Sequence, residues 1–139
     1  MPVTQLSVFL DNAAGRLAEV TRILGENHIN IRGFSVADTA DFGILRLLVN
    51  DPDTAIDVLK KANFTAHKGP LVLARIPDRP GGLAGALAAL AEKHVNVEYA
   101  YAIVTSGVIA FGLEDVELGE SILCDRGYPL VTPDELQLL

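Results

Sequence analysis

The chain repeats itself. Residues 15–31, GRLAEVTRILGENHINI, align with residues 81–97, GGLAGALAALAEKHVNV, with seven of 17 positions identical and two more exchanging Ile for Val. Further on, Gly43-Ile44 matches Gly107-Val108 and Asn50-Asp51 matches Glu114-Asp115, so the copies differ by two residues in one loop. A duplication of this extent limits the fold to two like units. The join falls near Gly69-Pro70, which gives a first domain over residues 1–68 and a second over residues 69–139. A unit of this size buries only about 60% of the surface its unfolded chain exposes. Each copy is therefore marginal alone, and pairing them would enlarge the core and remove a sheet edge.

Each copy reads strand, helix, strand, strand, helix, strand. Residues 5–10 alternate Leu6, Val8 and Leu10 against Gln5 and Ser7, the period of a half-buried strand. Residues 15–27 set Leu17, Val20 and Leu24 at helical spacing. Residues 29–37 form a second strand whose alternation breaks at Gly33, where a bulge is expected. Residues 43–50 form a third strand, Asp51-Pro52 opens a second helix, and residues 63–68 form a fourth strand. The second copy repeats this with strands at 71–76, 95–105, 107–113 and 128–131 and helices at 81–93 and 116–127. Thr132-Pro133-Asp134-Glu135 has the form of a capping box, which predicts a short helical tail carrying Leu136, Leu138 and Leu139. The predicted class is α+β: two ferredoxin-like βαββαβ units paired side by side, with an antiparallel sheet and helices on one face.

Charge and cysteine content narrow the function. Residues 1–68 are nearly neutral at −1, whereas residues 69–139 carry −6 of the net −7. With a pI near 4.8 and no basic run, nucleic acid is not an expected partner. One cysteine, Cys124, excludes an internal disulfide and a Cys-rich metal site. No apolar run approaches a membrane span and the start of the chain lacks a signal-peptide pattern, so no membrane partner and a cytoplasmic setting are expected. His28 and His94 are equivalent by repeat, but no regular ligand spacing supports a metal, and a helix-end role suits them better. The acidic group Glu114-Asp115-Glu117-Glu120 surrounds a helix start, where acids are favourable anyway. Ser106 and Cys124 lack an identifiable base and orienting group, so no catalytic constellation emerges, and no metal or cofactor is expected.

Two surfaces point to association. The helix at 81–93 has Leu83, Leu87 and Leu90 as its expected core stripe, yet its other positions are mostly Ala and Gly. Such a helix is either buried on several sides or an Ala-rich surface helix. Gly85 within it, costly in a helix interior, is explained if another backbone comes close. In the third strand, Ile44 and Leu48 face away from the helices and would form an apolar patch, which predicts at least a homodimer.

The turns Leu10-Asp11-Asn12-Ala13-Ala14-Gly15-Arg16-Leu17 and Ile76-Pro77-Asp78-Arg79-Pro80-Gly81-Gly82-Leu83 carry the chemistry. Each delivers the chain into a helix N-terminus, where backbone N–H groups lack intrahelical acceptors and the dipole favours an anion such as a carboxylate. Asn12 or Asp78 can offer a polar side chain to an ammonium or amide group; alternatively it is an ordinary helix cap. Arg16 either assists an anion or is a solvated charge.

These turns, with Ile29-Asn30-Ile31 and Val95-Asn96-Val97 opening the second strands, resemble the ACT domain, a family of regulatory modules, across essentially the whole chain and twice over. The resemblance implies edge-to-edge pairing through the second strands into a sheet of about eight strands, with amino-acid ligands at that seam. One site would combine Asn12, Ala13, Ala14 and Gly15 with Asn96; the reciprocal one would combine Asp78, Arg79, Pro80 and Gly81 with Asn30. Ala14 replaces a typical proline, which loosens the first turn. Asp78 would repel a carboxylate but attract an ammonium, so the sites are expected to differ and the one on Asn12 and Asn96 is favoured. Leu17 and Leu83 are expected to support the turns from below. The implied function is a non-catalytic, allosteric amino-acid sensor, a homodimer that signals to a metabolic enzyme or transcriptional partner. The alternative is a ligand-free assembly module, such as a regulatory subunit of an amino-acid biosynthetic enzyme.

Overall fold

The structure, a computed structural model, describes residues 2–11, 13–38, 42–103 and 107–139. In chain order the elements are β1 (Val3–Asp11), α1 (Arg16–Glu26), β2 (Ile31–Asp38), β3 (Phe42–Val49), α2 (Pro52–Lys61), β4 (Thr65–Arg75), α3 (Gly82–Glu92), β5 (Val97–Ala102), β6 (Val108–Leu113), α4 (Val116–Asp125) and α5 (Pro133–Leu136). The chain divides into a first unit, Thr4–Gly69, and a second that holds Pro70–Leu139 with Val3. The α+β class and the βαββαβ-type repeat of antiparallel strands and helices are what the sequence predicts.

In the first unit β3 pairs antiparallel with both β1 and β2, and β4 lies beside β1. Leu6, Val8 and Leu10 of β1 and Leu45, Leu47 and Val49 of β3 meet Val20 and Leu24 of α1 and Ala55, Ile56 and Leu59 of α2. Both helices therefore cover one sheet face, as alternation in the strands requires. The register of β2 on β3 shifts between Ile31 and Gly33, the bulge expected there, and β5 on β6 shifts likewise between Val97 and Tyr99.

In the second unit β6 pairs antiparallel with β4 and β5. Val72, Ala74, Phe111 and Leu113 meet Ala86, Ala89 and Leu90 of α3 and Ile122 and Leu123 of α4. The two strands expected at 63–68 and 71–76 form one continuous strand, β4, through Gly69-Pro70. The strand expected at 128–131 is reduced to a bridge between Ala74 and Leu130, with N–H donation from Arg75 to Pro129 O (2.8 Å) and from Val131 to Leu73 O (2.8 Å). Pro129 has no N–H to extend that ladder.

Helix ends are uniform. His28, Asn63 and His94 have φ of 59°, 68° and 59°, and Gly127 has 84°. Each is the left-handed residue of a Schellman motif: at α1, His28 N–H donates to Gly25 O and Ile29 N–H to Leu24 O, with equivalent pairs closing α2, α3 and α4. The paired histidines thus terminate helices. α5 is capped by Thr132, whose hydroxyl oxygen accepts from Glu135 N–H at 3.1 Å. It buries Leu136, whereas Leu138 is 86% exposed.

Three packing expectations are corrected. Leu48 is fully buried and Ile44 half-buried, so β3 presents no open apolar patch. The core side of α3 is Gly82, Ala86, Ala89 and Leu90, while Leu83 is 40% exposed, matched by Leu17 at 40% in α1. The inward position of the first turn falls instead to the preceding residue, buried Gly82 in α3 and half-buried Arg16 in α1. Gly85 makes room for a side chain: a Cβ there would lie 2.7 Å from the Tyr128 hydroxyl.

Candidate functional site

The two turns have nearly the same backbone. In the first, Ala13 N–H donates to Asp11 O (2.8 Å), Arg16 N–H to Ala13 O (3.4 Å) and Glu19 N–H to Gly15 O (2.9 Å). In the second, Arg79 donates to Pro77 O (2.9 Å), Gly82 to Arg79 O (3.0 Å) and Gly85 to Gly81 O (3.0 Å). Gly15 and Gly81 are the N-cap residues, left-handed at φ 85° and 84°. This conformation, open to glycine at no steric cost, rotates the chain from strand into helix. The cap residues themselves, being glycine, offer no side-chain bond to α1 or α3. By contrast Asp51, Asp115 and Thr132 accept from the first turns of α2, α4 and α5. In each helix the first amide, of Arg16 or Gly82, is donated inside the turn to Ala13 O or Arg79 O, and the amides that follow carry the positive end of the helix dipole.

Beyond the backbone the turns diverge. Arg16 is held by Glu19 (3.0 Å) and Asp11 (3.5 Å) and lies over the Phe64 ring with its guanidinium carbon 4.6 Å from the centroid. It is neither a solvated charge nor an open anion ligand. Its counterpart Gly82 is buried, and a Cβ there would fall 2.0 Å from Pro77 O. The tighter second turn, 3.0 Å against 3.4 Å at the equivalent hydrogen bond, leaves no room for a side chain.

Around the second turn lies a cavity of 300 Å³. Asp78 and Arg79 bring opposite charges to its wall, and Pro77, Leu83, Ile103 and Ile109 make it largely apolar. Ala102 and Ile103 at the end of β5 and Gly107 before β6 reach it because Ile76 N–H donates to Gly107 O (2.8 Å), which holds that connection against the turn. Sequence reasoning did not single out Ala102, Ile103, Gly107 or Ile109. The apolar Ile103 and Ile109 were the available signal, but the closeness of Gly107 to the β4–α3 turn is a product of pairing.

The predicted residues separate into distinct places. Ala13, Ala14 and Gly15 are exposed on the first turn, and Asp78, Arg79, Pro80 and Gly81 on the second. Asn12 lies outside the described residues. Asn30 and Asn96 are exposed before β2 and β5, where Asn30 N–H donates to Asn50 Oδ1 (2.9 Å) and Asn96 O accepts from Glu114 N–H (3.1 Å). Within a unit each asparagine is at the far end from the turn. Asp11 pairs with Phe42 and Asp38 with Gly43, whereas Ile31 pairs with Val49. The eight residues of β2, at about 3.3 Å each, put those ends roughly 25 Å apart. A turn therefore cannot meet the asparagine of its own repeat.

Two successive split βαβ-type repeats, each with a glycine turn ahead of a helix, define a tandem ferredoxin-like module. A family model described as "ACT domain pair" matches residues 1–138, and the chain belongs to that family. Among solved structures it is similar to protein BT0572 from Bacteroides thetaiotaomicron, with 35% identity, a TM-score of 0.92, and coverage of 100% of this chain and 98% of that one. The ligand-free regulatory subunit of aspartate kinase from Thermus thermophilus shares the fold at 18% identity and a TM-score of 0.66, covering 89% and 90% of the two chains. Aspartokinase III of E. coli, solved with lysine and aspartate, does so at 20% identity and a TM-score of 0.55 over 89% of this chain and 30% of that one. No curated protein matches significantly.

Among the described residues, no group of three or more His, Cys, Asp or Glu is placed to hold a metal ion, and no helix is long and apolar enough to cross a membrane.

Proposed function

We propose that this chain is a non-catalytic regulatory sensor of a small neutral amino acid, working in the cytoplasm as a homodimer on an enzyme of amino-acid metabolism. The observation that carries the reading is the 300 Å³ cavity at the second turn. Its Asp78 carboxylate suits an α-ammonium, while Arg79 and the start of α3 suit an α-carboxylate. Pro77, Leu83, Ile103 and Ile109 suit an apolar side chain of branched type. This balance moves preference from the turn at Asn12 to the one at Asp78. The fold shared with the regulatory subunit of aspartate kinase and with aspartokinase III supports an enzyme partner of that metabolic class.

The asparagines enter through a second interface. Among the described residues β2 pairs only with β3 and β5 only with β6, so each has one edge to spare. Phe34 and Val36 of β2, opposite buried Leu47 and Leu45 on the helix-covered face, are 55% and 44% exposed. A further strand with its helix would cover them and bring Asn30 or Asn96 to a turn from another repeat. The same exposed pair favours the second reading, an assembly module without ligand.

A thermal-shift screen of the common L-amino acids separates the two. A ligand at a hundred times its Kd, binding only the native state, adds about 2.7 kcal/mol of stability. The sensor reading expects a shift with one or a few neutral amino acids that is lost in Asp78→Ala. Unchanged melting with every amino acid would leave the assembly reading in its place.

A further inference from the structure

The second unit has a second hollow, of 450 Å³, on the other side of Ile76 and Pro77. Arg75 from the end of β4, Arg79 from the turn and Arg126 from the C-cap of α4 all line it. Residues 69–139 carry four basic side chains against ten acidic ones, so three of the four cations of the acidic half converge on one concavity.

We propose that this hollow binds the phosphate group of a small phosphorylated metabolite. Guanidinium forks match phosphate oxygens two at a time and stay charged at any physiological pH. The carboxylates that reach them are weak competitors. Glu135 is 4.0 Å from Arg75, and Glu92 pairs with Arg126, both between half-exposed side chains. Such exposed pairs are worth little, and a dianion can displace them. The terminal carbonyls of α4, which would repel an anion, are engaged: Ile122 O, Leu123 O and Cys124 O accept from Arg126, Tyr128 and Gly127 N–H. The volume exceeds that of a bare phosphate, and Pro77, Tyr128 and Pro129 give the remainder an apolar wall.

The test is calorimetric titration of the full chain with inorganic phosphate and with AMP, against sodium chloride at matched ionic strength. The expected result is saturable binding of AMP, inorganic phosphate or both, which also tells an ester from the free ion. Arg126→Gln and Arg75→Gln are each expected to weaken it by about tenfold or more, the loss of one charge-assisted pair. Neither residue lines the amino-acid cavity, so the amino-acid response should persist in both variants, and failure at one site is read separately from the other. Circular dichroism checks that each variant is folded. Absence of binding beyond the chloride control, or equal binding by wild type and both variants, overturns the assignment.

Discussion

Gly81 and Gly82 stand side by side at the start of α3, yet alanine should fail in them for different reasons. At Gly81 the backbone is left-handed, φ 84° and ψ −6°, and an added Cβ has nothing within 4 Å. The cost is conformational only, about 1–2 kcal/mol for an L-residue in that region. At Gly82 an added Cβ would sit 2.0 Å from Pro77 O and 3.1 Å from its carbonyl carbon. The obstacle is backbone, so the turn itself must open by roughly 1 Å or more to reach ordinary contact. Overpacking of this kind costs about 1–3 kcal/mol, less up to about 1 kcal/mol regained from alanine's helix propensity. The distinguishing quantity is therefore geometry rather than stability. Both variants should unfold at lower urea concentration by circular dichroism. Gly82→Ala alone should displace the cavity wall at Pro77 and Asp78, and with it any amino-acid-induced thermal shift. An unfolding midpoint for Gly82→Ala equal to or above wild type, with the ligand response intact, would refute the reasoning, because the turn would then have slack that its 3.0 Å hydrogen bond denies.

Four further outcomes follow from the same geometry. His94→Gly should stabilise by about 0.5–1 kcal/mol in chemical denaturation, since relief of the left-handed backbone at φ 59° exceeds the added entropy of the unfolded chain. Asp51 is held below the usual carboxylate range by the Thr54 hydroxyl and then by Thr54 N–H. Its contribution is thus present above the unfolded pKa and disappears as pH falls through the lowered folded value, so Asp51→Ala should be destabilised at neutral pH and converge with wild type in acid. Gly112→Ala should evict the Tyr99 ring, 2.1 Å from the new Cβ, and break its parallel stack with Tyr101 (6.4 Å, 8°), which tyrosine fluorescence or near-ultraviolet dichroism will register. Phe34→Asp should leave the melting of the isolated fold nearly unchanged but reduce the mass measured by sedimentation, because Phe34 lies 55% exposed on an edge strand.

Much of the fold was legible because its signals are local and occur twice. Alternation in Gln5–Leu10, the Val20 and Leu24 stripe of α1 and the Gly-x-Leu openings of both helices identify elements without tertiary information. The repeat turns each weak local signal into a pair, and the bulge at Gly33 recurs beside Glu98. The errors cluster where burial depends on a neighbour. Leu17 and Leu83 have the spacing of core residues but are 40% exposed, and Leu48 alternates outward yet is buried. Hydrophobic periodicity states which side of an element a residue is on, not how far the opposing layer extends.

The glycine turns show the same division. That each begins a helix, needs a left-handed residue and offers N–H groups to an anion is contained in residues 10–17 and 76–83 themselves, since backbone sterics and the helix dipole act within one turn. Only the tertiary structure decided that Arg16 is consumed by Asp11, Glu19 and Phe64, that Gly82 is pinned under Pro77 O, and that Ile103 and Gly107 close a cavity over Asp78 and Arg79. The Phe64 contact and the closure of the cavity join residues far apart in the chain, and no periodicity along the chain encodes which side chain will meet which across a sheet.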